Sequence, residues 1–293
     1  MAMVLMQPAA GASYRDDAGH TVTLAAPARR IVTLAPSLTE IVYAVGGGAR
    51  IVGTVSFSDF PAAARTLPRV GDNKRLDLER IAQLKPDLIL AWYHGSSQKE
   101  LERLGALGIP LFYVEPQTLE QVPTAMERIG TLLGTADAAR HAADTFRQGL
   151  ADLRGRYAQA TPVRVFYQVW PQPLMTVNGK QIISNVIELC GGRNIYADQP
   201  LTVPQLSTES VVAADPDVII AARVDHDSTS GAKDGRQDAA LATWPRFASM
   251  RAVRGGQIWT VPGDAISRAG PRLLDGATAI CAAIDAARKA TAK

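Results

Sequence analysis

"LDLERIAQLKPDLILAW", residues 76–92, and "LSTESVVAADPDVIIAA", residues 206–222, align without a gap at a constant offset of 130 residues (206 against 76). Leu76 and Leu206, Glu79 and Glu209, Pro86 and Pro216, and Asp87 and Asp217 fall in register, and each Pro-Asp opens an apolar run. Chance agreement at so many fixed places is small, so the two stretches read as an internal duplication. Solenoid repeats recur every 20 to 50 residues or so, whereas a single period this long describes two similar lobes. Each copy reads as a short helix followed by a buried strand.

The flanking sequence extends this grammar. "RIVTLAP" (30–36) is an apolar strand ending in a Pro turn, and "SLTEIVYAVGGG" (37–48) is a helix stopped by glycines. In the second half "VRVFYQVW" (163–170) takes the place of that strand and "SNVIELCGG" (184–192) that of the helix. "IVGT" (51–54) and "NIYA" (194–197) come next as strands, and "GIPLFYVEP" (108–116) and "GGQIWTVPG" (255–263) follow as late ones. Regular alternation of strand and helix predicts an α/β protein of two Rossmann-like lobes with mainly parallel sheets. Between them, residues 135–160 are rich in Ala, free of Pro and helically patterned, which predicts one long bridging helix. The organisation expected is an N-terminal segment over 1–29, a lobe over 30–134, the helix over 135–160 and a second lobe over 161–293. Residues 225–238, "DHDSTSGAKDGRQD", lack apolar periodicity and are expected to form a mobile loop.

With 47% hydrophobic and 20% charged residues, the composition is that of a globular protein able to bury a core. A net charge of +3 with no basic run interleaved with aromatics argues against a nucleic-acid face. Every apolar stretch is interrupted by Pro, Asp or Gly before the roughly 18 residues a membrane span needs, so no membrane insertion of the mature chain is expected. The opening "MAMVLMQPAAGASYRDD" is read as either the tail of a secretory signal lacking its basic start or a tag. Cys190 and Cys281 have no metal-type spacing, and the residues alone leave open two buried thiols or one disulfide.

Catalytic chemistry leaves little trace. His20, His94, His141 and His226 are scattered without the spaced companions of a zinc or catalytic site, and neither a phosphate loop nor a nucleophile elbow occurs. Ligands of parallel α/β sheets bind beyond the carboxyl ends of the strands, which directs attention to the residues there. Those are Ser37, Phe57, Trp92 and Tyr93 in the first half, and Trp170, Asp264 and Arg268 in the second. They are the expected lining of a ligand cleft between the lobes.

"RIVTLAPSLTEIVYAVG", "LDLERIAQLKPDLILAW", "IELCGGRNIYAD" and "GPRLLDGATAICAAI" together resemble the periplasmic substrate-binding proteins of ABC importers, in the branch that carries vitamin B12, siderophores and haem. The resemblance runs from about Arg30 to the C-terminus and is greatest to the cobalamin binders. It implies a non-enzymatic, periplasmic protein, without a cofactor of its own, that captures cobalamin or a related corrinoid and delivers it to a membrane permease; a monomer is expected because the sequence shows no heptad or long apolar edge. It implies that Phe57, Trp92 and Trp170 contact the macrocycle and that Ser37, Asp264 and Arg268 bond its polar rim. It pairs Cys190 with Cys281 in a disulfide, makes the bridging helix rigid, and casts Glu79 and Glu209 as the carboxylates, one per lobe, that dock on permease arginines. Two positions that can be Trp in cobalamin binders are Asn73 and Val203 in this chain, which leaves room for another corrinoid or flat tetrapyrrole. The alternative within the class is a haem or ferric-siderophore receptor using Tyr93, Tyr167, His94 or Arg268. An enzyme acting on a tetrapyrrole is the alternative outside it, disfavoured because no general acid/base pair is visible.

Overall fold

A computed structural model describes residues 12–223 and 241–291, in which the chain divides into two compact units. The first takes in residues up to Pro116 and Val122–Asp144, and the second Gln117–Gln121 and everything from Thr145. The loop expected over 225–238 and the first eleven residues lie outside the described residues.

The first unit opens with an antiparallel hairpin, β1 (Ala12–Arg15) and β2 (Thr21–Leu24). Alternation in "TVTL" turns Val22 and Leu24 inward. The hairpin turn is fastened to the unit, since the Asp17 amide donates to the Tyr113 carbonyl at 3.0 Å and Arg128 pairs with the Asp17 carboxylate. Residues 12–24, assigned from sequence to a lead-in segment, are therefore part of the lobe. There follow β3 (Ile31–Thr33), α1 (Pro36–Ala44), β4 (Ile51–Thr54), α2 (Leu78–Gln83), β5 (Leu88–Ala91), α3 (Gln98–Gly105), β6 (Leu111–Tyr113) and α4 (Gln121–Leu133). The strands form one parallel sheet in the order β4-β3-β5-β6. All four residues of β5 are buried, as expected of a central strand covered on both faces.

Helix α5 (Ala136–Tyr157) is continuous, with residues up to Asp144 in the first unit and those from Thr145 in the second. The second unit continues with β7 (Val163–Gln168), β8 (Trp170–Pro171), β9 (Leu174–Met175), α6 (Ile182–Leu189), β10 (Gly192–Asn194), α7 (Thr208–Ala214), β11 (Val218–Arg223), α8 (Arg251–Arg254), β12 (Ile258–Pro262), α9 (Gly263–Ser267) and α10 (Leu273–Thr291). Its sheet is again parallel, in the order β10-β7-β11-β12, while β8 and β9 form a small antiparallel hairpin. Substituting β7 for β3, β10 for β4, β11 for β5 and β12 for β6 turns one sheet order into the other, so the duplication in sequence is a duplication of topology. On one face of this sheet the buried Trp244 packs edge-on against Phe166, with ring centroids 5.5 Å apart, and its indole N–H donates to Gln168 Oε1 at 2.8 Å. Among the described residues no helix is long and apolar enough to cross a membrane.

Two boundaries move. The strand expected over "NIYA" lies at 192–194, because the Asn194 amide group ends it: Nδ2 donates to the Val177 carbonyl and Ser184 Oγ, and Oδ1 accepts the Tyr196 amide. The chain must turn there. Helix α6 starts two residues before "SNVIELCGG", since the Gln181 side chain caps it by accepting the Ile183 amide at 2.6 Å.

The duplicated stretch has a mechanical meaning in each lobe. Asp77 caps α2 by accepting the Arg80 amide at 2.9 Å, and Ser207 caps α7 by accepting the Ser210 amide at 3.2 Å. Both helices stop at a residue in the left-handed region just before the proline, Lys85 at φ 46° and Asp215 at φ 42°. The aspartate after the proline then holds the neighbouring strand. Asp87 accepts the Arg29 and Arg30 amides at 2.8 and 2.9 Å, and Asp217 accepts the Arg164 amide at 2.8 Å. Arg30 and Arg164 complete the motif by donating to carbonyls at the end of the preceding helix, Leu84 and Lys85 in one case and Ala214 in the other.

This anchor is exposed in the first lobe and 11% exposed in the second, where Asp217 also pairs with Arg251 at 2.8 Å. Asp217→Ala is accordingly expected to cost about 2–3 kcal/mol, because the Arg164 amide is left with no acceptor and little access to water. Asp87→Ala, whose orphaned amides are open to solvent, is expected to cost about 1 kcal/mol. Denaturant midpoints of the two variants check the order, and equal losses would contradict it.

Candidate functional site

Parallel strands bring their carboxyl ends to one edge of a sheet, so the residues following β3, β4, β5 and β6 share a face of the first lobe. Ser37 lies there in the first turn of α1, half-buried, just after a helical Pro36 whose missing N–H is no loss at that position. Under it, hydroxyls of Thr33, Thr39, Thr54 and Ser58 form a buried network with separations of 2.7–3.3 Å that ties β3, α1 and β4 together. Phe57 follows β4 with its backbone at φ 64° and 59% of its surface exposed. A non-glycine residue in that region costs roughly 1–2 kcal/mol, and the expense here holds a phenyl ring toward solvent.

Trp92 follows β5 and is 43% exposed. Its orientation is set from two sides. The indole N–H donates to Glu115 Oε1 at 3.1 Å, and Gly95 lies so close to the ring that a Cβ there would stand 1.9 Å from Cε3. Only glycine lets the loop fold under the indole. The second oxygen of Glu115 meets His94 Nδ1 at 2.6 Å, so one carboxylate after β6 grips both side chains after β5. Glu115 is itself placed by its amide, which donates to Asp17 Oδ2 at 2.6 Å. Tyr93 behaves differently from its neighbours. It is half-buried and packs edge-on against Tyr113 at 5.1 Å and His94 at 4.7 Å, at the margin of the core of the lobe. Asn73 is exposed, and its carbonyl accepts the Ser97 amide at 3.1 Å, joining the loop before α2 to the loop after β5.

In the second lobe Trp170 follows β7 on the β8–β9 hairpin, opposite Met175, and is half exposed. The segment before α7 runs beside that hairpin through a Thr176 amide bond to the Pro204 carbonyl and a Leu206 amide bond to the Leu174 carbonyl. It adds Leu201 and Val203 as further exposed apolar side chains. After β12, Gly263 passes within 2.5 Å, measured from a hypothetical Cβ, of the Arg223 carbonyl, which lets α9 begin at once. Asp264 and Arg268, one turn apart on that segment, form an ion pair of 3.0 Å. Tyr167, which the receptor alternative offered as an iron contact, is fully buried in β7 with a hydroxyl that has no hydrogen-bond partner among the described residues, and burial pushes its phenol up. A side chain so enclosed is not available to a chelate, and that element of the alternative is corrected.

The remaining sequence-derived positions are exposed or cross-linked. Glu79 and Glu209 lie in the first turns of α2 and α7, both exposed, with Glu79 accepting from Gln83 at 3.1 Å. The capping of both helices is already performed by Asp77 and Ser207, so neither glutamate is needed as a cap. Cys190, at the end of α6, is joined to Cys281 of α10 in a disulfide, both residues buried. Sequence reading passed over Glu115, Leu201 and the exposed Phe60. Glu115 was within reach, since it follows a strand already recognised.

Two repeated α/β lobes with aromatic and polar side chains at their strand ends define a class of ligand-binding protein. The chain belongs to the periplasmic binding protein family, whose model matches residues 31–265. It is 37% identical over 254 residues to a vitamin B12-binding protein of Yersinia pestis, an alignment covering 87% of this chain and 85% of that one. Its fold is similar to the crystal structure of the periplasmic vitamin B12 binding protein BtuF of Vibrio cholerae, with a TM-score of 0.79, 35% identity, and coverage of 90% of this chain and 99% of the other. The periplasmic haem-binding protein RhuT from Roseiflexus sp. RS-1 is also similar, at a TM-score of 0.75 and 26% identity over 88% of this chain and 99% of that one.

Proposed function

We propose that this protein captures cobalamin or a related corrinoid in the periplasm and hands it to the permease of an ABC importer, without catalysing a reaction. The observation that carries this reading is the pairing of exposed, oriented aromatic rings at strand ends, Phe57 and Trp92 in one lobe and Trp170 in the other, with likeness to vitamin B12-binding proteins along most of the chain. A corrin offers a broad apolar face ringed by amides. The aromatics supply contact with the former, and Ser37, Asp264 and Arg268 supply hydrogen bonds to the latter. Glu79 and Glu209 are the docking points, one on each lobe, for cationic side chains of the permease. A haem receptor is the second reading, favoured by the similarity of the fold to the periplasmic haem-binding protein of Roseiflexus sp. RS-1.

The rings provide the test. Truncating a half-exposed Trp that anchors a ligand removes about 2 kcal/mol or more, roughly a thirtyfold loss of affinity. Trp92→Ala and Trp170→Ala should each weaken cyanocobalamin binding by that order, measured by quenching of the remaining indole fluorescence, with little change in thermal midpoint. Unchanged affinity in both variants would remove these residues from the site.

A further inference from the structure

Resting on the corrinoid reading above, we propose that His94 supplies a nitrogen ligand, through Nε2, to the cobalt of corrinoids whose axial position holds a displaceable water. Three observations converge on this. The imidazole is on the strand-end face beside Trp92, and both rings are fixed to the two oxygens of one carboxylate, Glu115, at 3.1 and 2.6 Å. Its side chain is 67% exposed, while the Glu115 side chain beneath is 15% exposed, so the ring stands outward on an enclosed support. The carboxylate accepts only, which places the shared proton on Nδ1, and Nε2, on the other side of the ring, has no hydrogen-bond partner among the described residues.

A carboxylate behind one ring nitrogen is the arrangement that orients a metal-binding histidine and raises the basicity of the other nitrogen. Tyr93, edge-on to the imidazole at 4.7 Å, limits its rotation further. A structural role explains less. An exposed ring contributes little to the core, and an ion pair at the surface is worth about 1 kcal/mol or less. The step is a ligand exchange: the bond from cobalt to water breaks, a bond from cobalt to Nε2 forms, the water departs neutral, and the proton on Nδ1 remains. No electron is transferred. The consequence is selectivity, because a corrinoid with an open or aquo axial position gains a bond that one blocked by cyanide does not.

Diaquocobinamide is the suitable probe, since it lacks a nucleotide base and any axial nitrogen on its cobalt must come from the protein. Cyanocobalamin is the blocked control. On mixing with the oxidised full chain, the visible bands of diaquocobinamide are expected to shift toward those it shows with free imidazole, and the cobalt(II) form is expected to show nitrogen superhyperfine splitting in its electron paramagnetic resonance spectrum. His94→Ala should still bind both corrinoids but leave the bands at their aquo positions, with a tenfold or greater loss of affinity for diaquocobinamide and a small one for cyanocobalamin. Glu115→Gln, which keeps the shape and weakens the orientation, should give a partial shift. Bound diaquocobinamide with unmoved bands, or a shift that persists in His94→Ala, would overturn the assignment while leaving corrinoid capture intact. Failure of both corrinoids to bind the wild-type chain would overturn it together with the reading on which it rests.

Discussion

Removing the Cys190–Cys281 bridge, as Cys190→Ala with Cys281→Ala, is expected to destabilise the C-terminal lobe by about 4–5 kcal/mol. The bridge closes a span of 91 residues, and the chain-entropy cost lifted from the unfolded state grows with the logarithm of that span. It joins the end of α6 to α10, and Arg288 of the same helix adds bonds to the carbonyls of Cys190 and Thr161, so the loss falls on one packed seam. For a lobe of this size the midpoint should fall by roughly 10–15 °C. Both cysteines are buried, so reduction of the native protein will be slow, and the comparison is best made by denaturant unfolding of the variant against the oxidised chain. Coincident unfolding curves would show that the bridge contributes no stability. The residues proposed to contact the corrinoid all lie outside α6 and α10, so ligand affinity below the midpoint should change little.

The second large effect concerns recognition. Glu79→Ala with Glu209→Ala is expected to abolish capture by a reconstituted permease while leaving corrinoid binding in solution within a factor of about two. Each carboxylate sits in the first turn of a helix whose cap is supplied by another residue, so losing its interaction with the helix dipole costs about 0.3–1 kcal/mol. Truncating one partner of a desolvated ion pair costs about 2–5 kcal/mol in an interface, and two such losses, together about 4–10 kcal/mol, remove most or all of the roughly 8 kcal/mol that holds a micromolar complex. Either single variant should show an intermediate loss. Raised salt should slow association of the wild-type protein. Normal docking by the double variant, with lowered thermal stability, would mean that the glutamates serve their helices only.

The duplicated stretch made much of the fold legible because its fixed residues are structural. Pro86 and Pro216 end helices, and Asp87 and Asp217 hold the adjacent strand by its backbone amides. Those roles demand the same residue at the same spacing in each lobe. The hairpin over 12–24 was obscured because its strands are four residues each and follow a start that resembles a processed segment. Strand β10 was misplaced by two residues because its end is dictated by Asn194 reaching Val177 and Ser184, contacts distant in sequence.

The candidate site was legible to the extent that it follows strand ends. That rule nominates Ser37, Phe57, Trp92 and Trp170, and each stands in a segment after a strand of a parallel sheet, β3, β4, β5 and β7 respectively. The Glu115 grip on Trp92 and His94 escaped it, since the carboxylate lies 21 residues beyond His94 and meets it only through the pairing of β5 with β6. A search for histidine companions at short spacing cannot see a partner delivered by the next strand. The same limit applies to Tyr93 and Trp92, adjacent in sequence, of which one turns to the core and the other to solvent.

Isothermal titration of the oxidised protein with cyanocobalamin, beside a parallel titration with haemin followed in the Soret region, tests corrinoid capture most directly. A single saturable site for cyanocobalamin, with haemin binding weaker or absent, is the predicted result. Saturation by haemin with a shifted Soret band, and no saturable heat from cyanocobalamin, would contradict it.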